Sequence, residues 1–478
     1  MRAHRMLAGA GCVAALLLAV TGCGGDDDPL ETTRVIPSLA LKDLHPCHSV
    51  PQPPKLLCGA IKLPYERADP SLGQTRVAFS VRPRRDRGRP SLGAIVAVEG
   101  GPGYASSWDN RTFNKLFGSL LRRRELVMVD MRGTGNSKPL DCPDLQLGRA
   151  PDWIAMSKCA KRLGPRFGSY RTSAAADDIN DVRRALGLDE ITLYGDSYGT
   201  FLSQSYAFRH PETLEALVLD SAYPVKGESA WYPSIISTAV RAVSISCRRS
   251  PECSGDAGRR LSALVDWLRS RNRGVGALVD ALFDAGYSPP ESFVRIDRAG
   301  TELRHGNPVP WKLLIADAKL GHGHVHHYSA MTEEVVSCND YPLLWEKDAS
   351  FEERRDQLYR EVRSYRNPAL EPFSPTDVAL SSETLYQYCL TAPRPSPLYE
   401  PPVSSEDEPT KAPVLVISGE LDDVTTPHEG EMVTELFPDA RQFVARGQGH
   451  VADLYAPVDS APAIHLRRFL RGALNRSG

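Results

Sequence analysis

A hydroxyl nucleophile, an imidazole to take its proton and a carboxylate to hold the imidazole can together attack an acyl carbon without a metal. This chain offers the three in the order serine, aspartate, histidine, at Ser197, Asp422 and His450. Ser197 lies in Gly195-Asp196-Ser197-Tyr198-Gly199, straight after the apolar run Ile191-Thr192-Leu193-Tyr194 and straight before Thr200-Phe201-Leu202. A serine on a sharp strand-to-helix turn has crowded backbone on both sides, and only a residue without a Cβ fits two positions before and after it. Downstream, Val414-Leu415-Val416-Ile417 leads into Ser418-Gly419-Glu420-Leu421-Asp422-Asp423, and Arg441-Gln442-Phe443-Val444 into the loop Gly447-Gln448-Gly449-His450. An acid just past one strand and a histidine in a glycine-rich loop past the next can both reach the serine. Asp422 is the expected acid, with Asp423 the alternative. Acyl transfer also needs donors for the oxyanion. Glu99-Gly100-Gly101-Pro102-Gly103 follows the run Ala94 to Val98, and the expected donors are the Gly101 and Tyr198 N–H groups. The same glycines do not make a phosphate cradle, because the lysine and spacing of a P-loop are missing.

Short apolar runs alternating with segments of helical period predict an α/β fold with a mostly parallel sheet. The expected strands are Thr75 to Val81, Ala94 to Val98, Leu126 to Val129, Ile191 to Tyr194, Ala216 to Leu219, Val414 to Ile417 and Gln442 to Val444. A helix is expected over Ala174 to Leu186, with Ser173 as N-cap and Gly187 as its stop. From Tyr223 to about Thr410 the rhythm gives way to helical segments such as Arg259 to Arg269 and Phe351 to Tyr365. The exit from this stretch is rich in proline, from Pro393 to Pro413. Strand-like runs resume afterwards, so the stretch reads as an insertion. The expected organisation is a core over 37–224 and 411–478, interrupted by a mainly helical cap over 225–410.

The chain has 478 residues, 41% of them hydrophobic, with a formal net charge of -2. That supports a sizeable core and gives no basic field for nucleic acid. Arg2 and Arg5, an apolar run from Met6 to Val20 and Thr21-Gly22-Cys23 predict an export signal over 1–22. Val20-Thr21-Gly22-Cys23 resembles a bacterial lipobox, which implies acylation of Cys23, a tether over 23–36 and a membrane link through lipid only. Besides Cys12 and Cys23, eight of the ten cysteines remain, an even number suited to disulfides outside the cytoplasm. The smallest loops pair Cys47 with Cys58, Cys142 with Cys159, Cys247 with Cys253 and Cys338 with Cys389. His322, His324, His326 and His327 lie among glycines with no cysteine nearby and read as a solvated loop rather than a metal site. No metal and no cofactor is expected.

The chain resembles the α/β-hydrolase superfamily, and within it the secreted tripeptidyl aminopeptidase and proline iminopeptidase group of serine exopeptidases. The resemblance is carried by Cys58 to Tyr65, Glu99 to Gly103, Asp130 to Ser137, the segment Gly195 to Phe201, and the loops of Asp422 and His450. The family often has histidine at the position of Glu99 and proline at that of Asp423. The resemblance implies that Ser197 attacks a peptide carbonyl, that His450 shuttles the proton to the leaving amine, and that Asp422 holds the imidazolium. An aminopeptidase must also find the substrate's free ammonium, and a buried carboxylate is the simplest ruler. Glu333, Glu334 and Asp340 in the insertion are the candidates. Asp130 and Arg132 are expected to pair with each other, and Asp196 to orient the serine turn. A carboxylesterase would use the same three residues on a small ester without the ammonium anchor. A noncatalytic binding protein would not need all three intact.

Overall fold

The computed structural model describes residues 43–48, 56–150, 152–317, 323–382 and 384–474. Cys23 and the rest of the expected signal and tether lie outside these residues, as does His322. Nine strands form one sheet in the order β1-β2-β3-β5-β4-β6-β7-β8-β9. They are β1 (His45–Pro46), β2 (Leu57–Pro64), β3 (Gln74–Arg82), β4 (Ala94–Val98), β5 (Glu125–Val129), β6 (Ile191–Asp196), β7 (Leu214–Asp220), β8 (Val414–Gly419) and β9 (Ala440–Ala445). β1, β2 and β3 pair antiparallel, and β3 also runs antiparallel to β5. From β5 across to β9 every pairing is parallel.

The central strands β4, β5, β6 and β8 are buried at every position. That is why they read as unbroken apolar runs, since a parallel sheet is covered on both faces. All seven expected strands are present, β4 with the expected bounds and the other six a little longer than the apolar runs that announced them. β2 was not foreseen, because Gly59, Lys62 and Pro64 interrupt its pattern. β4 lies between β5 and β6, so the chain leaves it in opposite directions on its two sides. The carboxyl ends of β4 and β6 therefore open onto a switch-point crevice, where open α/β sheets bind ligands.

Between β7 and β8 the regular elements among the described residues are all helical, from Pro233–Arg249 to the short turn Gln387–Thr391. The longer of these helices share their own apolar core, which includes Val243, Val265, Leu278 and Phe293. All four expected disulfides form. No helix among the described residues is long and apolar enough to cross a membrane.

Two expectations need correction. The helix before β6 spans Thr172–Ala185 with Arg171, not Ser173, at its cap position. Its first N–H is instead satisfied from the insertion, because Thr172 N–H and Thr172 Oγ1 both donate to Asp340 Oδ2 at 2.6 Å. Ser173 turns away and donates to the carbonyl of Glu400. Nor do Asp130 and Arg132 pair. The turn after β5 folds back so that Asp130 accepts from Asn136 N–H and from Ser107 N–H and Oγ, each at 2.9 Å. The longer Arg132 side chain reaches the Thr172–Ala185 helix and grips both oxygens of Asp178 at 2.7 Å.

Candidate active site

Ser197 sits between the end of β6 and the helix Tyr198–Arg209, with φ at +49° and ψ at -127°. A non-glycine residue holds that backbone only when its surroundings impose it. The imposition is visible on both sides. A Cβ on Gly195 would stand 2.2 Å from the Gly199 carbonyl oxygen, and one on Gly199 would stand 2.6 Å from that of Val98. Gly195→Ala is therefore expected to destabilise the protein by about 1–3 kcal/mol, as overpacking against backbone does. Chemical denaturation of the purified variant would measure it, and an unchanged midpoint would refute the packing argument.

The end of β7 holds the serine and the histidine loop to one place. Ser197 N–H donates to the Asp220 carbonyl at 3.0 Å, and Val451 N–H donates to Ser221 Oγ at 2.7 Å. Asp453 N–H donates to Asp220 Oδ2 at 3.0 Å. The imidazole of His450 is almost wholly enclosed, and its Nδ1 lies 3.1 and 3.0 Å from the two oxygens of Asp422. Asp422 is itself fixed by the N–H groups of Val424 and Thr425 and by the Thr425 hydroxyl. His450 Nε2, the nitrogen on the far side of the ring, is buried and has no hydrogen-bond partner among the described residues. No hydrogen bond joins it to Ser197 in this state, a gap common where no substrate is bound. Asp423 points elsewhere. Both its oxygens are buried without a donor, and burial with the neighbouring Asp422 charge pushes its carboxyl well up.

The loop after β4 lies against Ser197. A Cβ on Gly100 would stand 2.6 Å from Ser197 Cβ and 3.1 Å from Ser197 Oγ. Tyr198 is the first residue of its helix, where N–H groups have no intrahelical acceptor. Gly101 holds φ at +107°, a left-handed backbone that glycine allows.

Residues 93–240 match the family model for the alpha/beta hydrolase fold, and residues 377–476 match the model described as TAP-like protein. The chain has the α/β-hydrolase fold. The chain is 27% identical over 202 residues to the tripeptidyl aminopeptidase of Streptomyces lividans, covering 38% of each chain. It is 28% identical over 250 residues to the serine protease Hip1 of Mycobacterium bovis, covering 46% of each. To the proline iminopeptidase of Neisseria gonorrhoeae it is 29% identical over 147 residues, which is 30% of this chain and 38% of the other. The matches thus span less than half the length of these curated relatives.

The insertion reaches the Ser197 site through residues 327–341. Ser329 N–H donates to the Gly103 carbonyl and Ala105 N–H to that of His327, each at 3.0 Å. Tyr104 and Tyr328 pair as an isolated antiparallel bridge, their rings 4.5 Å apart. The Tyr328 hydroxyl donates to Glu333, whose carboxyl burial pushes up to about 7. Glu334 is buried beside it, with Oε2 lacking any donor, and its carboxyl is pushed up by burial, by Asp152 and by Glu333. Asp340 is differently employed. One oxygen serves Thr172 and the other accepts from Tyr399 at 3.1 Å. Thr172 Oγ1 lies 2.9 Å from Tyr198 OH, so Asp340 ties the insertion to the side chain next to Ser197.

His324 and His326 stack on each other, and His326 Nδ1 lies 3.1 Å from the Gly135 carbonyl. Among the described residues one group has metal-ligand closeness, Cys247, Cys253 and Asp297, and its two cysteines are joined as a disulfide. Sequence reasoning missed Thr425, whose hydroxyl touches both Asp422 and His450. Its place three residues after the acid, where a hydroxyl can turn back, was the available signal. It also missed Tyr287, whose ring stands edge-on to His450 at 5.0 Å. Nothing in the sequence links that helix end to the site.

Proposed function

We propose that the protein is an exported serine aminopeptidase that removes N-terminal residues or short peptides through an acyl-enzyme. Ser197 is the nucleophile and His450 the base, then the acid for the leaving amine. Asp422 fixes the imidazole tautomer, and the N–H groups of Gly101 and Tyr198 receive the oxyanion. The helical insertion, 225–410, is the cap that admits the substrate. The observation that supports the peptidase reading is the half-buried Glu333, bonded to the Tyr328 hydroxyl, whose residue bridges Tyr104 beside the oxyanion loop, with the buried Glu334 next to it. A carboxylate held beside that loop matches an α-ammonium and has no use in binding an ester. Asp340, with both oxygens engaged, serves the fold. Export, with acylation at Cys23 after removal of 1–22, fits the four disulfides.

The test is hydrolysis of matched chromogenic amides with free and N-acetylated amino ends, and of a short ester, by the protein and by Ser197→Ala. Release from free amides only, lost in the variant, is the expected result. Turnover of the ester alone would replace the peptidase with an esterase using the same residues.

Glu333 adds a pH signature. Burial raises its carboxyl to about 7, so below that pH it is neutral and cannot pair with an ammonium. Peptide amines lose their proton near about 8. KM for a free-amine substrate is therefore expected to fall as pH rises through 7 and to climb again above 8. Glu333→Gln should raise that KM by about 10- to 100-fold, the worth of a charged hydrogen bond, and flatten its acid side. A KM indifferent to both the substitution and pH would remove Glu333 from recognition.

A further inference from the structure

The helix Gly276–Gly286 of the insertion ends on the loop that carries His450. His450 N–H donates to the Gly286 carbonyl at 3.0 Å. The fit is close against both loops past the sheet. A Cβ on Gly449 would stand 2.7 Å from the Gly286 carbonyl oxygen, and one on Gly286 would overlap Asp423 Oδ1. Tyr287, the next residue, is therefore set in place by the loops of the acid and the histidine. Its ring stands edge-on to the imidazole, 5.0 Å between centroids at an angle of 76°. One helical turn earlier the half-buried ring of Phe283 backs it at 5.7 Å. The imidazole is 3% exposed, yet Tyr287 is 58% exposed. Part of the phenol ring thus covers the histidine and the rest is open to solvent.

In acyl transfer the histidine that accepts the serine proton passes it to the departing atom of the substrate. That atom must come within about 3 Å of the imidazole, so the group attached to it lies against the histidine, whereas the side chain of the acyl part hangs from the acyl group that Ser197 attacks. A ring one side-chain layer from the imidazole therefore meets the departing half first. Given Ser197 and His450 as nucleophile and base, we infer that Tyr287 determines specificity for the leaving group: it stacks on an apolar or aromatic side chain of the residue just after the scissile bond. Aromatic partners gain most there, because two rings add an offset or edge-to-face attraction to the burial of their apolar surface. The insertion then reads the substrate on both sides of that bond, its amino end at Glu333 and its leaving half at Tyr287.

The experiment holds the acyl part constant and varies only what leaves. Benzyl and ethyl esters of alanine and of trialanine, which release alcohols of similar acidity, are compared by kcat/KM in the full chain, in Tyr287→Ala and in Tyr287→Phe, with the N-acetylated esters in parallel. The benzyl-to-ethyl ratio is read within each variant, so a loss common to both esters, from a displaced His450 or from fewer folded molecules, cancels. The unsubstituted protein should prefer the benzyl ester by about tenfold, the worth of one buried ring contact. Tyr287→Phe should keep that preference within about twofold, and Tyr287→Ala should reduce it to less than about twofold. No preference in the unsubstituted protein overturns the assignment without reference to any variant, and so does a preference that survives Tyr287→Ala. Equal turnover of free and N-acetylated esters, with the benzyl preference still dependent on Tyr287, would sink the aminopeptidase reading and yet support Tyr287 at the leaving-group side. No turnover of any ester would overturn both.

Discussion

Asp422→Asn is expected to lower kcat on a free-amine amide by about ten-thousand-fold while leaving the protein folded. Asp422 now accepts the Nδ1 proton of His450 at 3.0 Å and is locked by the N–H groups of Val424 and Thr425. An asparagine held by the same two N–H groups would keep its oxygen there and turn its NH2 toward the imidazole. The ring would then be forced into the tautomer with Nε2 protonated, which cannot take a proton from Ser197. Asp423→Asn is the control, because its carboxyl touches neither His450 nor any donor. It should stay within a few-fold of the parent. Steady-state kinetics on both variants decide the matter, and the reverse ranking would reassign the acid to Asp423.

The second large effect concerns the fold behind the site. Arg132 is 1% exposed and makes four hydrogen bonds, two to Asp178 and one each to the carbonyls of Tyr65 and Ser169. Arg132→Met keeps most of the apolar volume but leaves a buried carboxylate and two buried carbonyls without their donor. The expected loss is about 3–5 kcal/mol, the usual cost of removing one partner of an enclosed ion pair. Arg67, which also reaches Asp178 at 2.8 Å, is 28% exposed at its side chain and offsets only part of it. Arg132→Lys should recover little, since an ammonium cannot reproduce the planar fork. Urea unfolding measures this, and a loss below about 1 kcal/mol would show that Arg67 suffices.

Much of the site was legible because its constraints are local. Gly195, Ser197 and Gly199 are dictated by a turn of five residues whose backbone leaves no room for a Cβ. Asp422 follows the continuously buried strand β8, and His450 lies in a glycine-rich loop just past β9. The disulfide pairs were readable because short loops close at least entropic cost. Where reasoning failed, the partner lay far along the chain. Arg132 chose Asp178 over Asp130, 46 residues away, and the cap of the Thr172–Ala185 helix came from Asp340, 168 residues on.

The chain's own pattern therefore determined the α/β alternation, the helical insertion and the identity of the candidate triad, because periodicity, glycine at crowded turns and residues at strand ends are properties of neighbouring residues. Only the tertiary structure decided which aspartate meets the histidine, which acids of the insertion are spent on the fold, and that Tyr287 of the insertion meets His450. Each of those outcomes depends on how distant segments pack, and on which buried polar group finds a partner once water is excluded.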